Sequence, residues 1–318
     1  MIGIRHEDKS RWEARAPLVP DDVRRLIKDH GLQFQVQTSP TRAFSDDQYR
    51  AAGAAVANDL RDSRIILGVK EIPAGCFEPG KTYIIFSHVI KHQPQNMPML
   101  RRIVELGCTL IDYECIVDEQ ERRLVFFGRY AGLAGMIDTL WALGQRLRHE
   151  GIDNPFATVR RAYEYNTLED ARRQITQVGE RIRQDGLPAA IQPLICGFAG
   201  YGNVSQGAQE IYDLLPVREI DPEETATIAP AARECYKVVY HEKHLAQRTS
   251  GEAFELQDYY DRPEGYRSKF FPQVRFLTLL VNCIYWEDRY PRLVTCRQLG
   301  ELFSSESQPR LRVIGDIT

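Results

Sequence analysis

The sequence lacks long hydrophobic runs, and charge of neither sign dominates it. No apolar stretch among its 318 residues approaches the roughly 20 residues that a membrane-spanning helix requires. Its 41 Lys and Arg nearly balance 44 Asp and Glu, for a net charge of -3, so no overall field would attract nucleic acid or an anionic membrane. We therefore expect partners that are neither nucleic acids nor membranes.

Cysteine pairs are missing as well. The seven cysteines are scattered and none forms a CxxC pair, which argues against a disulfide framework and against a zinc site. The amino terminus, MIGIRHEDKSRWEAR, is charged from its fourth position and does not resemble a signal peptide. These absences predict a cytoplasmic protein without a structural metal.

The first 128 residues alternate short apolar runs with amphipathic segments. FQVQTS, RIILGV, TYIIFSH and CTLIDYE are predicted strands, and DDVRRLIKDHG and PMLRRIVELG are predicted helices between them. Alternating strands and helices favour a largely parallel sheet. We therefore predict an α/β domain over residues 1–128.

A second α/β domain is predicted over residues 129–318. Residues 131–151 have apolar positions at helical spacing and would form one long linker helix between the domains, followed by a polar connector over 152–187. A new α/β unit is predicted to start at AAIQPLICGFAGYGNVSQGAQEIYDLL with a strand that ends at Cys196, and later strands are predicted at PVREID, LLVNCIYW and LRVIGDI. Residues 222–275 predict only helices and loops.

A glycine-rich loop follows the strand that ends at Cys196. The order strand, GxxGxG, amphipathic helix is the context in which glycines let the backbone approach a pyrophosphate at a helix N-terminus. The candidate cofactor-binding residues here are Gly197, Gly200, Tyr201, Gly202, Asn203 and Val204. The loop predicts a Rossmann-type dinucleotide-binding domain, the alternative being a turn that only packs a helix on a strand.

Two acidic residues after this helix are candidates for the adenosine ribose. Glu219 and Asp221 lie at the end of PVREID, about 20 residues beyond the loop, where an acid would favour NAD. Arg218 beside them could instead accept the 2′-phosphate of NADP. Both cofactors stay open at this point.

Polar residues follow three predicted strands of the first domain. Lys70 and Glu71 follow RIILGV, His88 follows TYIIFS, and Glu114 follows TLIDY. In an open parallel sheet, ligands bind beyond the carboxyl ends of the strands, so these side chains could converge. Each also has a structural interpretation, as a solvated pair, a hydrogen-bonded His or a turn cap.

Arg15, in EARAPLVP, is a candidate clamp for a substrate carboxylate, because its planar fork suits two-point binding. The alternative is a surface ion pair. If both domains contribute, a cleft between them would bring the nicotinamide to the strand-end side chains.

Eight motifs in order resemble the lysine–2-oxoglutarate reductase part of bifunctional aminoadipic semialdehyde synthase. They are RHEDKSRWEARAPLVP, LGVKEIP, YIIFSH, LIDYE, FGRYAGLAGM, GFAGYGNVSQGAQ, VNCIYWE and VIGDIT. The chain resembles more distantly the lysine-forming saccharopine dehydrogenases and the alanine dehydrogenase family, which implies that residues 1–128 are an alanine-dehydrogenase-like substrate domain. Further residues follow the VIGDIT strand in the family, so a chain that stops at Thr318 is expected to be a fragment or a shortened relative.

The resemblance implies a reaction in which L-lysine condenses with 2-oxoglutarate and a reduced nicotinamide converts the imine to saccharopine. It implies Lys70 and His88 as the proton-carrying pair, Glu71 and Glu114 as neighbours that tune them, and Arg15 as the carboxylate ligand. Asn282 of VNCIYWE is implied as cofactor-binding, and NADP is favoured over NAD. Homo-oligomerisation is left open.

Two alternatives to the reductase remain. One is an alanine-dehydrogenase-like enzyme that acts on a small amino acid. The other is a nucleotide-binding module without catalysis, suggested by the expected missing end. Turnover with lysine separates the reductase from both, and turnover with ammonia identifies the first alternative.

Overall fold

The structure is a computed structural model that describes residues 1–91 and 93–317. Thr318, the last residue of the VIGDIT motif, lies outside the described residues. The chain divides into two compact units, Met1–Phe126 and Phe127–Thr318. This division falls two residues before the predicted boundary, while the assignment of a substrate domain and a nucleotide domain stays a prediction.

The N-terminal unit is built on one parallel sheet. Its strands are β1 (Ile2–Ile4), β2 (Phe34–Gln37), β3 (Ala55–Ala57), β4 (Ile65–Leu67), β5 (Thr82–Ile85) and β6 (Thr109–Asp112), and its α-helices are α1 (Pro20–His30), α2 (Asp46–Ala51) and α3 (Met97–Glu105). The strand order is β3-β2-β1-β4-β5-β6, and each neighbouring pair is parallel. The α/β class predicted for this half is therefore confirmed.

The central strand of this sheet, β1, was not among the predicted strands. It contains only Ile-Gly-Ile, which is too short to show a period, yet Ile4 is fully buried between the strands β2 and β4. The register pairs Ile2 with Phe34 on one side and with Ile65 on the other. Because β1 is central, the residues that follow it reach the carboxyl edge of the sheet beside β4.

The C-terminal unit is built on a second parallel sheet. Its strands are β7 (Leu194–Ala199), β8 (Val217–Glu219), β9 (Cys235–Tyr240), β12 (Leu279–Asn282) and β13 (Val313–Asp316), with an antiparallel hairpin of β10 (Ala246–Arg248) and β11 (Tyr266–Ser268). Its α-helices are α4 (Gly128–His149), α5 (Leu168–Asp185), α6 (Asn203–Tyr212), α7 (Glu242–Leu245), α8 (Leu256–Asp261), α9 (Phe271–Val274) and α10 (Cys296–Ser305). The main sheet has the order β13-β12-β7-β9-β8.

One prediction for this half is confirmed and two are corrected. The helix predicted over 131–151 is present as α4, and it belongs to the C-terminal unit as expected. Residues 152–187 are not a mere connector, because α5 buries Ile175, Val178 and Ile182 in the core that surrounds β7. Residues 222–275 include β9, a strand with five of its six residues buried.

Candidate functional site

Four predicted site residues lie at the carboxyl ends of three neighbouring strands in the N-terminal unit. Lys70 and Glu71 follow β4, His88 follows β5, and Glu114 follows β6. The strands β4, β5 and β6 are adjacent and parallel, so their carboxyl ends open at the same edge of the sheet. The sheet topology thus supports the convergence expected from the sequence.

A buried carboxylate links the predicted histidine to an arginine. Nδ1 of His88 lies 3.1 Å from Oε2 of Glu114, and Oε1 of Glu114 lies 2.9 Å from Nη1 of Arg123. The Glu114 side chain is only 2% exposed. Asp112 accepts a hydrogen bond from the Glu114 backbone N–H at 2.9 Å and one from the Ser87 hydroxyl. Asp112, and not Glu114, therefore caps this turn, and Glu114 is directed to His88.

The backbone at His88 is strained. His88 has φ = 53°, and among the described non-glycine residues only it and Glu121 have positive φ. Such a conformation in a residue with a side chain costs on the order of 1 to 3 kcal/mol and persists where surrounding structure enforces it. Strain at a residue capable of proton transfer, next to a buried carboxylate, favours a functional role for this imidazole.

The backbone that carries Lys70 is held by an acid that the sequence analysis missed. Oε1 of Glu7 accepts from the Val69 N–H at 2.7 Å, and Oε2 accepts from the Lys70 N–H at 2.9 Å. Glu7 is buried, and this burial raises its pKa above the ordinary value. Among the described residues the Lys70 amine forms no ion pair, so Glu7 fixes the backbone while the amine stays available for a ligand.

Glu71 is held ionised close to His88. Nζ of Lys9 lies 3.2 Å from Oε2 of Glu71, and Asn96 donates to Oε1 at 3.5 Å. Burial opposes the charge, but the backbone N–H of Glu71 and the ammonium of Lys9 lower its pKa overall, with a contribution from the charge of His88. A carboxylate of this kind can stabilise positive charge that forms on the imidazole.

Arg15 is not a free guanidinium. Its Nε and Nη2 contact the two carboxylate oxygens of Glu13 at 2.7 and 2.5 Å. Although burial of Glu13 opposes it, this pairing keeps the pKa of Glu13 below its ordinary value, and the charge of Lys70 contributes. The two-point geometry expected for a carboxylate clamp is present, but a carboxylate of the same chain occupies it.

In the C-terminal unit, the predicted loop leaves a helix N-terminus without a side-chain cap. Gly200 has φ = 96°, and a Cβ there would lie 2.7 Å from Ile284, so a side chain would be strained and crowded. Gly202 is the N-cap of α6, it provides no side-chain hydrogen bond, and a Cβ on it would meet no atom within 4 Å. The first backbone N–H groups of α6 therefore have no side-chain cap, which is the arrangement in which a helix N-terminus can bind a pyrophosphate.

Further glycines bring α4 against α6. A Cβ on Gly132 would overlap the carbonyl oxygen of Val204, and one on Gly207 would overlap that of Arg129. Ser205, which stands where the dinucleotide fingerprint has its third glycine, is fully buried and accepts from Gln209 at 2.9 Å. Glycines of both motifs, FGRYAGLAGM and GNVSQGA, thus allow α4 to pack closely against α6, the helix that begins at the loop.

Glu219 and Asp221 do not lie where the sequence analysis expected. They follow β8, which is at the edge of the sheet, and β9 separates β8 from the loop strand β7. Glu219 pairs with Lys237 at 3.3 Å, and Asp221 forms a capping box with Glu224. The error has a physical cause, because the unpredicted strand β9 takes the position next to β7.

His241 and Glu242 follow the strand that does lie next to β7. The Gly200 N–H donates to the carbonyl of Tyr240 at 2.9 Å, which joins the loop to the end of β9. The ring of Tyr201 stacks on that of His241, with centroids 4.3 Å apart. Glu242 is therefore the acid that follows the strand next to β7, as the sequence analysis expected of Glu219 or Asp221.

Asn282, the last residue of β12, lies on the other side of β7. It pairs with Ala199 in the strand register, and its Nδ2 donates to Oδ1 of Asp316 at 3.0 Å. Its position at the carboxyl edge is compatible with the predicted cofactor contact, which stays a prediction.

Two further findings apply to the part of the chain that the structure describes. There, no three His, Cys, Asp or Glu side chains are grouped so that they could hold a metal ion. No helix in residues 1–91 and 93–317 combines the length and apolar character that crossing a bilayer demands.

Comparison with known proteins gives matches for both units. Residues 3–134 match the family model "Alanine dehydrogenase/PNT, N-terminal domain". Alpha-aminoadipic semialdehyde synthase of Arabidopsis thaliana is 36% identical over 322 residues, which cover 95% of this chain and 30% of that protein. The chain is similar to one part of this synthase. It spans about a third of the length of the curated synthases that it matches.

Two further matches extend the comparison. A saccharopine dehydrogenase [NAD(+), L-lysine-forming] of Neurospora crassa is 31% identical over 213 residues, covering 65% of this chain and 54% of that protein. Among solved structures, an L-alanine dehydrogenase aligns with a TM-score of 0.59 at 17% identity and covers 99% of this chain and 73% of that one. This structural likeness confirms the predicted Rossmann-like dehydrogenase fold.

Proposed function

We propose that the chain joins L-lysine to 2-oxoglutarate and reduces the resulting imine, giving saccharopine. The observation that carries the proposal is the chain of contacts from His88 through Glu114 to Arg123 at the carboxyl edge that also holds Lys70. The homology to alpha-aminoadipic semialdehyde synthase and the likeness to saccharopine dehydrogenase support the same chemistry.

Condensation requires a base for the attacking ammonium and an acid for the departing water. An imidazole held by a carboxylate can accept and return a proton, and an amine without an ion pair can do the same. We assign these two roles to His88 and Lys70 as a pair. Glu114 orients the imidazole through Nδ1, and Glu71 stabilises its cationic form.

We propose that Arg15 binds a carboxylate of the substrates. Its fork binds a carboxylate at two points, and Glu13 occupies those points in this structure. We propose that a substrate carboxylate takes the position of Glu13, because the two groups offer the same pair of oxygens to the same donors.

When bound, a reduced nicotinamide nucleotide supplies the hydride for the imine carbon. The residues that fit its pyrophosphate are Gly200, Gly202 and the first backbone N–H groups of α6, which have no side-chain cap. Reaction then requires that the nucleotide held by the C-terminal unit reach the proton-handling side chains of the N-terminal unit.

The choice of cofactor is assigned to residues 241–243. The reductase resemblance favours NADPH, and the side chains of His241 and Lys243 are the proposed contacts of its 2′-phosphate. Glu242 between them favours NADH, because a carboxylate accepts from the ribose hydroxyls and repels a phosphate. We propose NADPH as the donor, with Glu242 limiting the preference over NADH.

The test is NADPH oxidation by the purified chain with 2-oxoglutarate and either lysine or ammonia. Oxidation that requires both lysine and 2-oxoglutarate supports the proposal. Oxidation with ammonia and no lysine would identify an amino-acid dehydrogenase instead. Binding of NADPH with no turnover on either mixture would identify a nucleotide-binding module.

A further inference from the structure

The crossover between β9 and β12 carries a small aromatic subdomain. Besides helices, residues 241–278 hold the β10/β11 hairpin, whose Tyr266 packs on Tyr259 with ring centroids 5.1 Å apart. Phe254 and Tyr290 join the same cluster at 5.4 to 5.6 Å from Tyr259. Arg248 donates to the Tyr266 hydroxyl at 3.0 Å and pairs with Asp258 at 2.7 Å, so the cluster is tied by polar contacts as well.

One side chain of this subdomain reaches the end of β9. Tyr260, in α8, donates its hydroxyl hydrogen bond to Oε1 of Glu242 at 2.7 Å. Among residues 1–91 and 93–317, Glu242 forms no ion pair. The hydroxyl of Tyr260 is therefore the side-chain group that holds its carboxylate. Burial, together with this bond and a contact to Tyr201 of the glycine loop, raises the pKa of Tyr260, and its hydroxyl is protonated at neutral pH.

This contact lies beside the glycine loop. Glu242 follows β9, the strand paired with β7, and its neighbour His241 stacks on Tyr201 of the loop. A carboxylate held from one oxygen keeps the other in a fixed direction, which lowers the entropy cost of a second hydrogen bond. Through Tyr260, this subdomain can therefore affect how strongly Glu242 accepts a hydrogen bond from a ribose hydroxyl.

We propose that Tyr260 is a positioning residue for cofactor discrimination. By holding Glu242 it preserves a fixed acceptor for the adenosine ribose hydroxyls of NADH, which the 2′-phosphate of NADPH cannot use. The inference rests on the proposed nucleotide site and adds a determinant of its selectivity that lies outside the glycine loop and outside the strand ends.

The experiment measures the dissociation constants of NADH and NADPH by fluorescence titration, without substrate, for the native chain and for variants. In Tyr260→Phe, we expect the affinity for NADH to fall about threefold to tenfold, the range for one lost hydrogen bond, with NADPH affinity unchanged or higher. Glu242→Gln should change the ratio in the same direction and further. Adding Tyr260→Phe to Glu242→Gln should then change nothing more, because the tyrosine acts through that carboxylate.

Tyr259→Phe is the matched control. It removes a hydroxyl from the same helix and the same aromatic cluster without touching the bond between Tyr260 and Glu242, and the ratio of the two dissociation constants should stay at the native value. Equal weakening of both cofactors in Tyr260→Phe, or an unchanged ratio, would overturn the inference and leave the proposed function standing. Failure of the native chain to bind either cofactor would instead overturn the nucleotide site itself.

Discussion

The two units use the carboxyl ends of their parallel strands in opposite ways. In the N-terminal unit these ends carry ionisable side chains that hold one another, as in the contacts of His88 and Glu114. In the C-terminal unit the corresponding edge presents backbone N–H groups at the first turn of α6, which Gly202 leaves without a side-chain cap. The first arrangement suits proton transfer and the second suits the binding of an anion, and the proposed reduction of an imine requires both.

Because of this difference, the two units should respond differently to amino-acid substitutions. Removing a side chain should damage the N-terminal edge, because its chemistry resides in imidazole, amine and carboxylate groups. Adding a side chain should damage the C-terminal edge, because its ligand site and its helix packing depend on glycine. Variants of both kinds therefore test the comparison.

The largest effect is expected from His88→Ala. Loss of a positioned acid or base lowers kcat by about 10²- to 10⁴-fold, while the dissociation constant of the cofactor should not change, because the imidazole belongs to the other unit. Steady-state kinetics with lysine and 2-oxoglutarate, combined with cofactor titration, would measure both. A parallel loss of cofactor binding would contradict the assignment of proton transfer and cofactor binding to different units.

Gly132→Ala should destabilise the C-terminal unit. A Cβ would overlap the carbonyl oxygen of Val204 and approach the Ala208 nitrogen to 2.7 Å, and overpacking against backbone costs about 1 to 3 kcal/mol. Gly300→Ala is the control, since a Cβ there meets nothing within 4 Å and a helical Gly to Ala change stabilises by about 1 kcal/mol. Urea unfolding should give opposite signs for the two, and equal signs would contradict the packing argument.

Gly202→Ala should weaken cofactor binding with little effect on stability. The residue has φ = -75° and space for a Cβ, so the fold accepts it, while the methyl group enters the cradle at the start of α6. We expect a rise in the dissociation constant of about tenfold, or about 1.4 kcal/mol. Gly265→Ala, which also has open space around its Cβ, serves as the control with native binding. Unchanged binding in Gly202→Ala would place the nucleotide elsewhere.

Glu7→Gln should alter stability in a pH-dependent way. An amide leaves the Val69 or Lys70 N–H facing a donor, at a cost of about 1 to 3 kcal/mol near neutral pH. Because the pKa of Glu7 is raised above 4.5 in the fold, proton binding there adds stability that is complete below pH 4.5 and lost as pH rises through the folded pKa.

Gln cannot titrate, so the advantage of the native chain over Glu7→Gln should grow as pH falls through that pKa. Urea unfolding at a series of pH values would measure it, with the exposed Glu264→Gln as the control. A stability difference that is constant with pH would show that Glu7 does not titrate differently in the fold.

The sequence allowed a feature to be predicted where that feature depends on a local pattern of residues. The strand, glycine loop and helix order lies within about 20 residues, and His88 and Glu114 could be predicted because parallel strands place their ends at one edge. Contacts between distant residues left no such pattern. Glu7 reaches the Lys70 backbone across 63 positions, and β9 was hidden in a stretch rich in charge and tyrosine. The wrong position of the ribose acid followed directly from that missed strand.

The most direct test of the account follows the hydride. The chain is incubated with lysine, 2-oxoglutarate and NADPH in which both hydrogens at C4 of the nicotinamide are replaced by deuterium, and the products are analysed by mass spectrometry. The account predicts saccharopine that contains one deuterium and forms only when both substrates are present. Unlabelled saccharopine, or label that appears in glutamate when ammonia replaces lysine, would contradict it.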